Sequence, residues 1–146
     1  MNRGLIGLFV CVALTVFLVS PANAAREAEV SAEFRSARAE AKFRACARFG
    51  GGQAVTCVAD AVSTFAVDLG SCGFIAAAAP QAAPAVAEAA KQISGATTKQ
   101  AALSVLNRVR AVLGGLAAQS SGEARSVYSR INRAFSTAIG VINSKG

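Results

Sequence analysis

The side chains here that offer most chemistry are sulfurs. Cys46, Cys57 and Cys72 fall close together in a chain of 146 residues that has no histidine and no tryptophan. A thiolate can attack an electrophile, ligate a metal or join a disulfide, and the first two roles usually need help from imidazole or from a second nearby thiol. Neither helper is present, because no Cys-x-x-Cys pair occurs and histidine is absent. The carboxylates are two Asp, Asp60 and Asp68, and a handful of Glu, with no pair spaced for acid and base work. The serines lack a base that could activate them. Gly50-Gly51-Gly52 is turn material and not a phosphate cradle, since no strand precedes it and no Lys-Ser or Lys-Thr follows. The sequence therefore reads as a non-enzyme with no catalytic residue, metal or cofactor. No Asn-x-Ser or Asn-x-Thr site invites an N-glycan.

That leaves disulfide chemistry, which depends on where the chain is oxidised. Arg3 followed by the apolar run Leu5 to Val19 and by Ala22-Asn23-Ala24 has the order of a secretory signal peptide, with cleavage expected before Ala25. About fifteen apolar residues fall short of the roughly twenty that span a bilayer. Cys11 would leave with the leader, and the residues before it lack the small side chain expected ahead of a lipid-modified cysteine. The expected organisation is residues 1–24 as signal peptide and residues 25–146 as one domain with a net charge of +6, secreted, or periplasmic in a bacterium.

The elements that must position the cysteines are helices. The chain is rich in alanine, and no alternating run of β-branched and aromatic residues marks a strand. The pattern predicts an all-α fold, a compact bundle of about five Ala-rich amphipathic helices. The fourth has Ala102, Val105, Leu106, Val109, Val112, Leu113 and Leu116 on one face, and the fifth has Ala124, Val127, Tyr128, Ile131, Ala134, Phe135, Ala138 and Ile142. Gly114, Gly115 and Gly122 supply a reversal between them, and Ser120 with Glu123 has capping-box spacing. Helix two runs from about Gln53 to Leu69 with Val55, Val58, Val62, Phe65, Ala66 and Leu69 aligned. Helix three begins near Pro84, aligns Val86, Ala89, Ala90 and Ile93, and stops at Ser94-Gly95. Phe74 to Ala79 reads as a short turn of helix or an apolar connector, and Thr97 as the cap of helix four.

On these helices Cys57 and Cys72 are about 22 Å apart at 1.5 Å per residue, beyond the roughly 7 Å that a disulfide spans between Cα atoms. Cys46 and Cys57 flank the triple-glycine turn of a helical hairpin and are the expected pair. By elimination Cys72 is a buried free thiol or the point of an intermolecular bond, and the small neighbours in Gly70-Ser71-Cys72-Gly73 favour exposure and a covalent dimer.

Helix one, Ala25 to Phe49, carries two apolar sides. Val30, Phe34, Ala37, Ala41 and Ala45 form a stripe taken as its core face, while Phe43 points about 180° from Phe34 and packs under a neighbour or docks on a partner. Arg35, Arg38 and Lys42 follow at i, i+3 and i+7 as a possible basic binding strip, with Arg44 and Arg48 nearby. Three functions fit these features. The first is a secreted, non-catalytic structural or interaction protein that self-associates or docks on extracellular material. The second is a cationic protein active on anionic membranes, and the third a carrier of a small apolar ligand. Nucleic acid is not expected as a partner, because the basic residues are dispersed without interleaved aromatics. In composition and expected helix number the chain resembles the terminal assembly domains of silk proteins, a likeness of architecture alone that leans toward the self-association reading.

Overall fold

Glycine sets the first reversal. Gly51 carries φ of +57°, a region that favours glycine, and donates its N–H to the carbonyl of Lys145 at 2.8 Å. The turn after the first helix is thus fastened to the end of the last. A computed structural model describes residues 21–146 of the chain. They form α1 (Pro21–Ala45), which runs into a 3-10 turn (Cys46–Arg48), then α2 (Gly52–Gly70), α3 (Gly73–Ala78), α4 (Ala82–Ile93), α5 (Lys99–Ala118) and α6 (Gly122–Lys145). No strand occurs among the described residues. The all-α expectation holds, with six helices where about five were expected, because the segment after Cys72 closes into the short helix α3.

Arg3, the apolar run and Cys11 lie outside the described residues. Ala22-Asn23-Ala24 falls in the opening turn of α1, and Ala28 is the first residue of that helix described as buried.

The core assembles where the periodic stripes meet. α5 and α6 form an antiparallel pair, with Lys99 Nζ at the start of α5 donating to the carbonyl of Asn143 near the end of α6 at 2.8 Å. α4 packs on α2 and α5, and α1 packs mainly on α6, α2 and α3. Phe135 of α6 sits at the centre, its ring 6.2 Å from that of Phe43 and 5.9 Å from that of Phe65, within the 4.5–7 Å range in which aromatic pairs interact. Leu69, Ile75, Ile93, Leu106, Leu113, Ile131 and Ile142 are fully buried around it. Removing a ring of this kind costs about 3–5 kcal/mol through lost burial and the cavity left behind.

The expected stripes of the later helices face this core. Val55, Val58, Val62, Phe65 and Leu69 of α2 are buried, as are Val86, Ala89, Ala90 and Ile93 of α4 and most of the aligned residues of α5 and α6. Three details differ. Gly114 and Gly115 lie inside α5 and do not make the reversal, which falls at Gln119–Ser121, with Gly122 at φ +59° opening α6. Each helical glycine costs roughly 1 kcal/mol relative to alanine, but Leu113, Leu116 and Ala117 carry the apolar stripe past them and hold the helix together. The cap of α5 is Thr98, not Thr97, its hydroxyl accepting from the N–H of Ala101 at 3.2 Å. Ser120 forms no capping box. Its hydroxyl donates back to the carbonyl of Leu116, and Arg125 Nε closes the end of α5 by donating to the carbonyls of Ala117 and Ser120.

The fourth difference matters most for function. The core face of α1 is the opposite of the expected one: Ala28, Ala32, Arg35, Ser36, Ala39, Phe43 and Cys46 are buried, whereas Val30, Phe34, Ala37, Ala41 and Ala45 are exposed. Phe43 is the large anchor, with no solvent exposure, and the other inward apolar residues of the helix, Ala28, Ala32 and Ala39, are small. Alanine permits close helix approach while contributing little hydropathy contrast, so periodicity pointed to the wrong side.

Candidate docking surface

The disulfide fixes the hairpin that presents this surface. Cys46 and Cys57 are joined with their Cα atoms 5.6 Å apart. With Phe43 turned inward, Cys46 one turn later also faces the core and meets α2 directly. A disulfide is compatible with a secreted protein, whose surroundings allow thiols to oxidise.

Cys72 differs from expectation. It is wholly buried, and it is a half-cystine; no cysteine among the described residues is free. The elimination that left it over counted only the three cysteines after residue 24. The glycines beside it do not expose it, because the turn is tightened by the N–H of Cys72 on the carbonyl of Leu69 and by the Ser71 hydroxyl on the carbonyl of Asp68. A sulfur without solvent exposure cannot reach another chain unless the α2–α3 corner opens, so the covalent-dimer reading loses its basis.

The three residues of the basic strip are separated by burial. Arg35 is 2 % exposed and its Nη1 donates to Asp68 Oδ1 at 2.8 Å, pinning α1 to the end of α2. Burial pulls its pKa below the ordinary arginine value, with the Asp68 carboxylate opposing that fall and the Arg38 charge adding to it. Arg38 lies 3.7 Å from Asp68 Oδ2, and its guanidinium sits 5.6 Å from the centre of the Phe34 ring. Lys42 is exposed. Arg38 and Lys42 therefore remain at the surface, and Arg35 is a structural member of the α1–α2 seam.

On the other edge of α1, Arg130 of α6 bridges two carboxylates. Its Nε donates to Glu33 and its Nη1 to Glu40 at 2.9 Å, and Glu40 is also 3.6 Å from Arg44. Burial works against the Arg130 charge, but the hydrogen bonds it donates to Glu40 and Glu33, with the attraction of their negative charges, outweigh it and the net shift is upward. These contacts set the rotation of α1 about its axis and were invisible to periodicity, because Arg130 and Glu33 are far apart in sequence.

What the rotation presents to solvent is apolar. Val30 is 56 % exposed and Phe34 50 % exposed, and Ala37, Ala41 and Ala45 continue the row along α1. Phe34 is the only aromatic side chain classed as exposed among the described residues. A second apolar feature is a groove of about 150 Å³ between α4 and α5, floored by Ala85, Ala89, Val105, Val109 and Val112. Its rim is a relay in which Arg108 Nη1 donates to Gln92 Oε1 and Gln92 Nε2 to Glu88 Oε1, each at 3.0 Å. A volume near 150 Å³ takes something the size of benzene and is too small for an acyl chain. Among the described residues no cluster of three or more His, Cys, Asp or Glu could hold a metal ion.

No protein-family model matches the chain, and no curated protein or solved structure shows a significant match to it.

Proposed function

We propose that the chain is an exported, non-catalytic interaction protein, a disulfide-fastened helical bundle that acts by presenting an apolar helix face to other protein. The observation that carries this reading is the row Val30, Phe34, Ala37, Ala41 and Ala45, left uncovered by a fold that buries most residues of its other aligned stripes. Single exposed apolar residues are ordinary, whereas a contiguous apolar row on one helix marks an interaction site. Export is supported by the order of Arg3, the apolar run and Ala22-Asn23-Ala24, and by the Cys46–Cys57 disulfide.

The membrane-active alternative is less well supported. The apolar faces of α2, α4, α5 and α6 are committed to one core, and laying them on lipid would require unfolding it. The experiment is to express the full chain in a secreting host, determine the N-terminus and mass of the released protein, and measure its size by light scattering over a wide concentration range. A chain beginning at Ala25, with mass that rises with concentration and no leakage of anionic vesicles, is the expected result. A strict monomer that permeabilises those vesicles would overturn the reading in favour of membrane action.

A further inference from the structure

The exposed row on α1 has the spacing, the side-chain sizes and the flanking charges of a self-complementary helix contact. We propose that it packs against the same row of a second copy of this chain, antiparallel, across a two-fold axis. This rests on the interaction reading above and names its partner.

The steps from Val30 to Phe34, Ala37, Ala41 and Ala45 are four, three, four and four residues, which keeps them on one side of a helix of 3.6 residues per turn. The row runs for about 22 Å at 1.5 Å per residue, long enough for two helices to engage over four turns. Its two ends differ in size: Val30 and Phe34 are large and Ala37, Ala41 and Ala45 are small. Antiparallel pairing sets the large end of each copy against the small end of the other, with Phe34 seated between Ala41 and Ala45 of the second copy. Alanines at the crossing let the axes come to the near end of the usual 8–10 Å range. Parallel pairing would stack Phe34 on Phe34 and leave the alanine end loosely filled.

The charges select the same arrangement. Glu33 and Arg44 lie on the same edge of the row, about 60–80° from its centre at 100° per residue. Their side chains are 64 % and 65 % exposed. With Phe34 between Ala41 and Ala45, Glu33 of each copy falls beside Arg44 of the other, so two complementary pairs form per dimer. In a parallel alignment the edges cross and Glu33 would face Arg38 of the second copy, a cation already held by its own Asp68. On the opposite edge Arg38 is drawn back over its own Phe34 and toward Asp68, which clears the face. An isologous contact of this kind needs one patch only and closes at two copies.

The test uses the exported protein as isolated. Ala41→Glu places a charge in the middle of the row at an exposed helical position and should leave the circular dichroism and thermal midpoint unchanged while weakening dimerisation by at least about tenfold. Glu33→Arg and Arg44→Glu each bring like charges together twice per dimer and should weaken it by about threefold to tenfold, and the double variant should recover most of that loss; because Glu33 also accepts from Arg130 and Arg44 lies beside Glu40, the thermal midpoint of each dilute variant is measured alongside, and the double variant must regain dimerisation whatever stability the single changes lose. Sedimentation equilibrium of the four variants beside the parent reads all of these. If the parent associates and Ala41→Glu associates equally well, the α1 row is not the contact, while the interaction reading stands. If the charge reversals are not mutually rescued, the antiparallel geometry is wrong. A parent that is monomeric throughout but binds anionic vesicles in a manner lost in Ala41→Glu assigns the row to lipid and overturns the dimer together with the reading beneath it.

Discussion

Two phenylalanines on α1 give the sharpest test of how this helix is turned. Phe43 has no solvent exposure and touches Phe135, whereas Phe34 is half exposed with the Arg38 guanidinium over its ring. Phe43→Ala removes a fully buried ring and opens a cavity beside Phe135, at a cost of about 3–5 kcal/mol. Phe34→Ala removes a surface ring and one cation–π contact, at a cost of about 0.5–1 kcal/mol in the monomer. A domain of this size has an unfolding entropy near 0.26 kcal/mol/K, so the two variants should lose about 15 °C and about 3 °C of thermal midpoint. Urea unfolding followed by far-ultraviolet circular dichroism, on dilute oxidised protein, measures both without interference from association. Equal losses, or a larger loss for Phe34→Ala, would mean that α1 packs by its other face, and the docking surface would then be an ordinary core stripe.

Three further outcomes follow from the structure. The Cys46–Cys57 bond closes a loop whose ends are 11 residues apart, and chain-entropy bookkeeping gives it about 3 kcal/mol, so a Cys46→Ser, Cys57→Ser double variant should lose about that much in urea unfolding. Gly115 lies inside α5 with open space where a Cβ would stand, so Gly115→Ala should raise stability by about 0.5–1 kcal/mol, and a thermal midpoint that falls would place a close neighbour there. In the full unprocessed chain, Cys72 should give no thiol titre in native protein or after unfolding without reductant, and should react only after reduction. One thiol per chain released by denaturant alone would show it to be free.

Most of the fold was legible in the sequence because its apolar residues are large and periodic. Val105, Leu106, Val109 and Leu113 on α5 and Ile131, Phe135 and Ile142 on α6 announce their faces by contrast with the polar residues between them. The hairpin and its disulfide were legible from the triple glycine with a cysteine on either side. α1 was not. Its inward face is built from Ala28, Ala32, Ser36 and Ala39, with the single large anchor Phe43 and the buried Arg35, so the outward Val30 and Phe34 dominate any hydropathy reading. What turns the helix is a set of distant ion pairs, Arg35 with Asp68 and Arg130 with Glu33 and Glu40, and such pairings leave no periodic trace. Gly114 and Gly115 misled for a related reason: glycine lowers local helix propensity, but tertiary packing of the residues around it decides the outcome. The exposure of Cys72 was misjudged from its small neighbours, since backbone hydrogen bonds and not residue size close that corner.

The measurement that bears most directly on the whole account is hydroxyl-radical footprinting of the native protein, read by mass spectrometry at low and high concentration. Phe34 should be oxidised readily in dilute solution and become protected as the protein associates, while Phe43 stays unmodified at both extremes. Oxidation of Phe43 in the folded protein, or a Phe34 already protected at high dilution, would contradict it.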